Sequence, residues 1–175
     1  MADQARIVAD VKDWIESFVI AHNLCPFAAQ PLRKNRVRFE VSQAQNEYDL
    51  LVCLAEEFRR LLDEPGIETT LIIHPQVLTD FDDYNQFLDL VDALLQEQQL
   101  DGVLQVASFH PCYQFANTPR DAVENLTNRS PYPMLHILRE DSVQDAVRQH
   151  PDTHRIPHRN MIKMQELFGP SNKGK

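Results

Sequence analysis

Glycine is scarce in this sequence, and its scarcity excludes two large classes of nucleotide-binding protein. The 175 residues include only four glycines. Loops that cradle phosphate on backbone N–H groups need glycine, because the backbone must approach the ligand closely. Neither GxGxxG nor GxxxxGK[ST] occurs. The chain is therefore neither a P-loop NTPase nor a standard dinucleotide-binding domain, and any bound anion must be held by side chains or by a helix N-terminus.

Other signatures are also absent. The chain has no GxSxG nucleophile elbow, no HExxH and no CxxC, so we predict neither a cofactor nor a metal site. The three cysteines, Cys25, Cys53 and Cys112, are scattered and odd in number, which indicates free thiols in a reducing compartment.

Long apolar runs are missing too. No stretch approaches the roughly 18 apolar residues that a membrane span needs, and the N-terminus lacks the basic start and apolar core of a signal peptide. We expect a cytoplasmic protein without a membrane partner.

Positive charge is sparse in the first part of the chain. Residues 1–101 carry 8 Lys+Arg and 19 Asp+Glu, whereas residues 102–175 carry 9 and 7 and contain five of the seven histidines. The net charge of −9 argues against nucleic acid as a main partner, since phosphate contacts need a basic face. Cations persist where acids become rare, and an anionic ligand is therefore expected in the second part.

The pattern of apolar residues predicts a single α/β domain over residues 1–168. A sheet of about four parallel or mixed strands with helices packed on it is expected, because strands and helices alternate. A ferredoxin-like α+β sheet is the alternative. The pattern predicts strands over 37–41, 69–73, 103–109 and 133–138, and helices over 3–22, 47–62, 81–98, 119–127, 142–149 and 161–168.

Several finer features are also predicted. In the second helix, Tyr48, Leu51, Ala55, Phe58 and Leu62 are expected to form the buried face. Thr118 is expected to cap the short fourth helix. Residues 23–35 and 150–159 are expected to be irregular loops, and residues 169–175 a disordered tail.

Polar side chains concentrate between Ser108 and Glu140. His74 and His110 each follow a predicted strand, and ligands of α/β sheets lie beyond strand ends. His110 is the candidate general acid or base, because histidine titrates near neutral pH. If the two strands are parallel neighbours, both imidazoles face one crevice.

Arg129 is the candidate anion-binding residue. It lies in a loop stiffened by prolines, and a fixed guanidinium binds carboxylate or phosphate through two hydrogen bonds. An ion pair with Glu124 is the alternative role. Further candidate ligand-binding residues are Asn128, Ser130, Arg139, His136, Tyr113 and His74.

Three strings resemble a bacterial family catalogued as domain of unknown function 1415. They are Asn23-Leu24-Cys25-Pro26-Phe27-Ala28, Phe109-His110-Pro111-x-Tyr113-x-Phe115-Ala116 and Asn128-Arg129-Ser130-Pro131-Tyr132-Pro133-x-x-His136-x-Leu138-Arg139-Glu140. The resemblance spans essentially the whole chain. It implies a single intracellular domain and transfers no chemistry.

Three hypotheses remain open. The first is an enzyme that acts on a small anionic metabolite, with arginines holding the anion and His110 transferring a proton. The second is a non-catalytic module that binds or senses such a ligand. The third is a metal-dependent hydrolase using His74, His110 and either Cys112 or His136, whose residue types suit zinc but whose spacing matches no known pattern.

Overall fold

One four-stranded sheet with helices on both faces forms the molecule, as the computed structural model shows for residues 2–149 and 152–170. The strands are β1 (Val37–Val41), β2 (Thr69–Ile73), β3 (Leu104–Phe109) and β4 (Met134–Arg139). The helices are α1 (Ala2–Trp14), α2 (Ala29–Arg33), α3 (Glu47–Asp63), α4 (Phe81–Glu97), α5 (Glu140–Gln149) and α6 (Ile156–Phe168). A π-helical segment (Ile15–Ile20) continues α1, and 3₁₀ turns cover Val123–Asn128 and Thr153–Arg155.

The sheet is mixed, and its strand order is β1-β2-β4-β3. β1 and β2 are parallel, whereas β4 runs antiparallel to both β2 and β3. The predicted α/β fold with a mixed sheet is confirmed. We call the edge at which β1, β2 and β3 end and β4 begins the carboxyl edge. Because β4 separates β2 from β3, the strands that precede His74 and His110 are not neighbours.

Helices α3 and α4 cover one face of the sheet. Leu50, Leu54, Phe58 and Leu61 of α3 are fully buried, as are Tyr84, Phe87 and Val91 of α4 within one per cent. Each of these helices connects two strands of the sheet by a right-handed crossover. Because both crossovers advance across the sheet in the same direction, both helices lie on the same face. Burial of these apolar side chains drives the packing.

The predicted buried face of α3 was wrong at its two ends, whereas Phe58 is fully buried and Leu51 packs partly buried against the core. Tyr48 and Leu62 are 74% and 42% exposed, and the stripe that faces the sheet includes Glu57 instead. The Glu57 side chain is buried because Arg38 of β1 binds it through two hydrogen bonds, Nε to Oε2 at 2.7 Å and Nη2 to Oε1 at 3.0 Å. A buried carboxylate needs such a partner.

Helix α1 packs on the opposite face of the sheet. Ile7, Val11 and Ile15 contact the apolar side chains of β1, β2 and β4 near the carboxyl edge. The predicted α-helix over 3–22 changes to a π-helix at Ile15. On an α-helix, each side chain is rotated by ~40° about the helix axis from the one four residues before it, so every fourth residue gradually leaves the buried side. The wider π turn rotates the following side chains back, and this keeps Val19 on the buried side.

Three local predictions were wrong. No helix begins at Pro119; the Thr118 hydroxyl donates to Phe115 O and Asn125 Oδ1 rather than capping a helix, and a 3₁₀ turn starts only at Val123. The last helix begins at Ile156, within the predicted loop 150–159. A short helix, α2, occupies part of the predicted loop 23–35. Residues 150, 151 and 171–175 lie outside the described residues, so the predicted disordered tail is untested there.

Candidate functional site

The predicted site residues lie at three different places in the fold. His74, His110, Tyr113 and the segment 128–130 follow or precede strands at the carboxyl edge. His136 lies in the middle of the sheet, on the face that α1 partly covers. Arg139 lies at the opposite edge, where β4 ends. The structure therefore does not bring the whole predicted set into one site.

His110 is fully buried and both of its ring nitrogens have backbone partners. The Cys112 N–H donates to Nδ1 at 3.0 Å, so the ring proton lies on Nε2, which is 3.1 Å from Leu78 O. Leu78 has a left-handed backbone (φ 56°), so His110 stabilises an unusual turn. Burial lowers the pKa of His110. Its role as a general acid or base stays a prediction, and proton transfer would require one of these bonds to break.

His74 lies beneath the same turn and is also fully buried. Its Nδ1 donates to Val77 O at 2.9 Å, whereas Nε2 is buried without a partner. Burial lowers the pKa of His74 to about 4. The ring of Tyr84 lies between the two imidazoles, with centroids 5.8 Å from His74 and 5.0 Å from His110.

Tyr84 joins the strands that surround these histidines. Its hydroxyl donates to Met134 O at 2.7 Å and accepts from the Phe109 N–H at 3.1 Å. It therefore ties α4 to β4 and β3 at the carboxyl edge, and the two histidines are parts of a packed, neutral interior rather than of an open crevice.

Arg129 is half-buried, and backbone oxygens fix its guanidinium. Nε donates to Tyr113 O at 3.1 Å and Nη2 donates to Arg120 O at 2.5 Å. The predicted alternative, an ion pair with Glu124, is not formed: within residues 2–149 and 152–170 no carboxylate lies within 4 Å of this guanidinium. The Glu124 carboxylate accepts from Gln165 Nε2 at 3.3 Å instead.

Asn125 organises the loop that carries these two carbonyl groups, and sequence reasoning missed it. Its buried side chain accepts from Phe115 N and the Thr118 hydroxyl, and it donates to Pro119 O and Arg120 O. A lone asparagine in a polar segment gives no signal of this role, since all four partners are set by the path of the loop.

The side chains on either side of Arg129 form hydrogen bonds with backbone carbonyl groups. Asn128 Nδ2 donates to Ser108 O at 3.1 Å, and Ser130 Oγ donates to Tyr132 O at 2.6 Å. The ring of Tyr113 packs against Phe81 and Phe115, with centroid distances of 5.3 and 5.0 Å. Of the predicted ligand-binding residues in this loop cluster, Arg129 keeps the most N–H bonds without a described partner, whereas Asn128 keeps one N–H of its amide.

His136 lies at the centre of the sheet. Thr69 Oγ1 donates its only proton to Ile137 O at 2.6 Å, so it must accept from His136 Nε2, 2.7 Å away. This arrangement fixes the neutral tautomer with the proton on Nε2. Burial lowers the pKa of His136 to about 4.

Arg139 binds the end of α3 from the other side of the molecule. Its Nε donates to Ile67 O at 3.2 Å, and Nη2 donates to the carbonyls of Leu61, Glu64 and Ile67. Carbonyl groups at a helix C-terminus lack partners and favour a cation. These contacts use Nε–H and both N–H bonds of Nη2, so Arg139 holds the end of α3 and cannot also present Nη1 and Nη2 together to a ligand.

The described residues contain no group of three or more His, Cys, Asp or Glu side chains placed to hold a metal ion. His74, His110, Cys112 and His136 are not gathered as the third hypothesis requires. Cys25 and Cys112 are exposed and, like Cys53, unpaired. In the same ranges no helix is long and apolar enough to cross a membrane.

A cavity of about 550 Å³ lies between the N-termini of α3 and α4. Its lining includes Glu47, Asp80 and Asp83 beside Asn46 and Tyr48. The helix N-termini are already capped, by Asn46 and by Asp80. The acidic lining repels anions, so the cavity does not match the predicted ligand.

The second and third strings that resemble the family meet in the structure. They are joined by the Arg129–Tyr113 contact described above and by the His110 N–H, which donates to Asn128 O at 3.2 Å. Leu24 and Ala28 of the first string pack with Val123 and Leu126, which lie between the other two strings in the sequence. The family model described as protein of unknown function (DUF1415) matches residues 6–172.

The chain belongs to the DUF1415 family. No curated protein and no solved structure matches it significantly. Family membership therefore brings no activity or ligand with it, and the function of this DUF1415 protein must be argued from its own geometry.

Proposed function

We propose that this protein binds a small molecule carrying a carboxylate or phosphate group, and that the Arg129 guanidinium holds that group. The observation that carries the proposal is a half-buried guanidinium fixed by two backbone oxygens without a carboxylate partner in the described part of the chain. Burying a charged group is costly unless it is paired, and a bound anion supplies the partner that Arg129 lacks among the described residues.

The unused hydrogen-bond donors of Arg129 suit an anion. Tyr113 O and Arg120 O take one N–H of Nε and one of Nη2, which leaves both N–H bonds of Nη1 and one of Nη2. Because the plane of the guanidinium is already fixed, little side-chain entropy is lost when it binds an anion through two hydrogen bonds.

We favour binding without catalysis over an enzyme that uses His110. Binding at Arg129 leaves every hydrogen bond of the loop intact, whereas proton transfer at His110 must disrupt the contact with Cys112 or Leu78. Burial lowers the pKa of His110, which favours its neutral form. The enzyme hypothesis remains the alternative outcome of the experiment below.

A thermal-shift panel of phosphorylated and carboxylated metabolites, with and without divalent metals, tests the proposal. A ligand at 100 times its Kd adds about 2.7 kcal/mol, which raises the Tm of a domain of this size by about 5–10 °C. We expect such a shift in the wild type and its loss in Arg129→Gln and Arg129→Lys. Lysine keeps the positive charge but lacks the planar guanidinium that forms two parallel hydrogen bonds.

Arg33→Gln is the matched control, because Arg33 is an exposed arginine of α2 and its removal changes the net charge equally. Equal losses in the Arg33 and Arg129 variants, or no shift with any compound, would contradict the proposal. If a bound compound is also consumed, and His110→Gln abolishes its consumption but not its binding, the protein is an enzyme instead.

We also propose that the protein works in the cytoplasm, because its three cysteines are unpaired and free thiols persist in reducing compartments. Fractionation of the native cells, with detection of the chain outside the cytoplasmic fraction, would contradict this.

A further inference from the structure

The face of the sheet that α1 packs on is only partly covered. Near the carboxyl edge, Val41, Ile73 and Met134 lie in one row across the strands and are buried. In the next two rows, β3 and β4 contribute four half-buried side chains. We call these four residues the open face; they are Gln105, Ala107, His136 and Leu138.

His136 is the one histidine of the open face, and it presents a lone pair there. Nε2–H is bound to Thr69 Oγ1, and Nδ1 has no hydrogen-bond partner among the described residues. The fully buried side-chain atoms without partners in that part of the chain belong to Thr70, His74 and Asn160. Nδ1 therefore reaches the surface as an acceptor of fixed orientation.

Small and aromatic side chains lie beside the His136 imidazole. Ala107 lies directly opposite His136 in the sheet register, and its short side chain leaves room beside the imidazole. The Phe109 ring is 6.1 Å from the His136 ring, and Trp14 meets Phe109 edge-on at 5.6 Å. Small-molecule sites combine such apolar and aromatic surfaces with a few fixed polar groups.

An acceptor of this kind selects against the ligand proposed for Arg129. A neutral imidazole nitrogen with a lone pair repels the oxygens of carboxylate and phosphate, whereas a guanidinium offers only donors. A ligand for His136 must bring its own N–H or O–H, and a planar ring best fits the aromatic side chains beside it.

We propose that the open face is a second binding site, which takes a planar heteroaromatic molecule whose ring N–H donates to His136 Nδ1. The site is independent of the function proposed for Arg129, because it uses a different surface and the opposite hydrogen-bond polarity. Thr69 acts as a positioning residue that keeps the proton on Nε2.

The probe is indole, compared with 1-methylindole, which has nearly the same shape and no N–H donor. Titration of the ¹⁵N-labelled protein followed by ¹H–¹⁵N spectra should show saturable shifts confined to β3, β4 and Trp14. We expect 1-methylindole to bind at least about tenfold more weakly, the effect of one hydrogen bond to a fixed acceptor.

His136→Phe retains a ring and removes the acceptor, so indole and 1-methylindole should bind it alike, and Ala107→Leu should fill the site and weaken both. Arg129→Gln should leave indole binding unchanged. The proposal is overturned if wild-type protein binds the two probes equally, if indole causes no saturable shift up to its solubility limit, or if the shifts lie elsewhere. The wild-type comparison decides the matter even where a variant fails to fold.

Discussion

Two arginines that look alike in the sequence have different environments in the fold. Arg129 and Arg139 both bind backbone carbonyls and were both predicted as ligand-binding residues. Arg139 contacts three carbonyl groups, at the end of α3 and in the turn after it, and they take Nε–H and both N–H bonds of Nη2. Arg129 contacts two and keeps one Nη2 N–H free beside Nη1. Of these two arginines, Arg129 can therefore offer Nη1 and Nη2 side by side to an anion.

Replacing Arg139 should therefore affect stability and not binding. Arg139→Met is expected to lower the free energy of unfolding by about 2–4 kcal/mol, because partly buried carbonyls lose charged donors. Urea denaturation measures this change. Arg148→Met is the control: Arg148 forms one exposed pair with Asp145 and should change stability by less than about 0.5 kcal/mol. A loss below about 1 kcal/mol in Arg139→Met would refute the structural role.

The residues of the candidate site could be chosen from the sequence, but their roles could not. Residue type and position were enough to single out His110 after a strand, Arg129 in a loop with prolines and His136 on a strand. The partners that set their chemistry, Leu78 O for His110 and Thr69 for His136, are 32 and 67 residues away. Local sequence patterns contain no information about such partners. The tautomer of each histidine, and whether its ring nitrogens already have hydrogen-bond partners, can therefore be read only from the tertiary structure.

At the scale of elements, the loop between β3 and the 3₁₀ turn is ordered by Asn125 rather than by helix capping. A capping pattern at Thr118 predicted a helix, yet the Thr118 hydroxyl is used by Asn125 and Phe115 O. Local capping signals are weak where a buried amide offers the same backbone groups a better network.

Asn125 variants test whether this loop positions Arg129. Asn125→Asp retains the acceptor oxygen but loses the donors to Pro119 O and Arg120 O, so it should weaken anion binding about tenfold or more and destabilise the fold by about 1–3 kcal/mol. Both changes can be read from one thermal-shift titration.

Thr127→Ala is the matched control, since Thr127 lies in the same 3₁₀ turn and its hydroxyl bonds mainly within it. We expect a small loss of stability and unchanged anion affinity. Unchanged affinity in Asn125→Asp as well would show that the loop does not need Asn125 to hold Arg129.

The elements themselves were largely predictable. Alternation in β1 and the β-branched run in β2 place these strands within the observed bounds. The buried face of α3 was not predictable from apolar residues alone, because Glu57 belongs to that face and its charge is neutralised by Arg38 from another element. The π-helical turn was not predictable either, because it depends on the surface against which α1 packs.

At the scale of the whole molecule, the strand order could not be predicted from the sequence. Alternating strands and helices favour neighbouring parallel strands, but β4 enters antiparallel between β2 and β3. Its central position explains why Met134, Leu135 and Ile137 are fully buried. It also places His136 in the sheet interior, away from the strand ends where the ligand was expected.

Two histidines that the fold keeps neutral should make it sensitive to acid. The pKa values of His74 and His136 are lowered to about 4 by burial, so the native state binds fewer protons than the unfolded chain. Their contribution to stability is complete above pH about 6.5 and is lost as the pH falls toward 4, by up to about 1.4 kcal/mol per unit for each group.

We expect the free energy of unfolding to fall by about 2–4 kcal/mol between pH 7 and pH 5, as measured by urea denaturation at several pH values. In His136→Phe, the fall in the free energy of unfolding between pH 7 and pH 5 should be roughly half as large, whatever the variant's stability at pH 7. An identical fall in wild type and variant would mean that the fold does not keep His136 neutral.

The central claim is that Arg129 is a fixed guanidinium available to an anion, and its Nε–H resonance tests that claim most directly. Inorganic phosphate is titrated into ¹⁵N-arginine-labelled protein at constant ionic strength, with Arg129→Lys used to assign the signal. The account predicts a sharp Arg129 Nε–H signal before phosphate is added, because Nε is bound to Tyr113 O, and a saturable shift that Arg33 and Arg139 do not share. An Arg129 signal that does not move, or equal linear shifts of all the arginines, would contradict it.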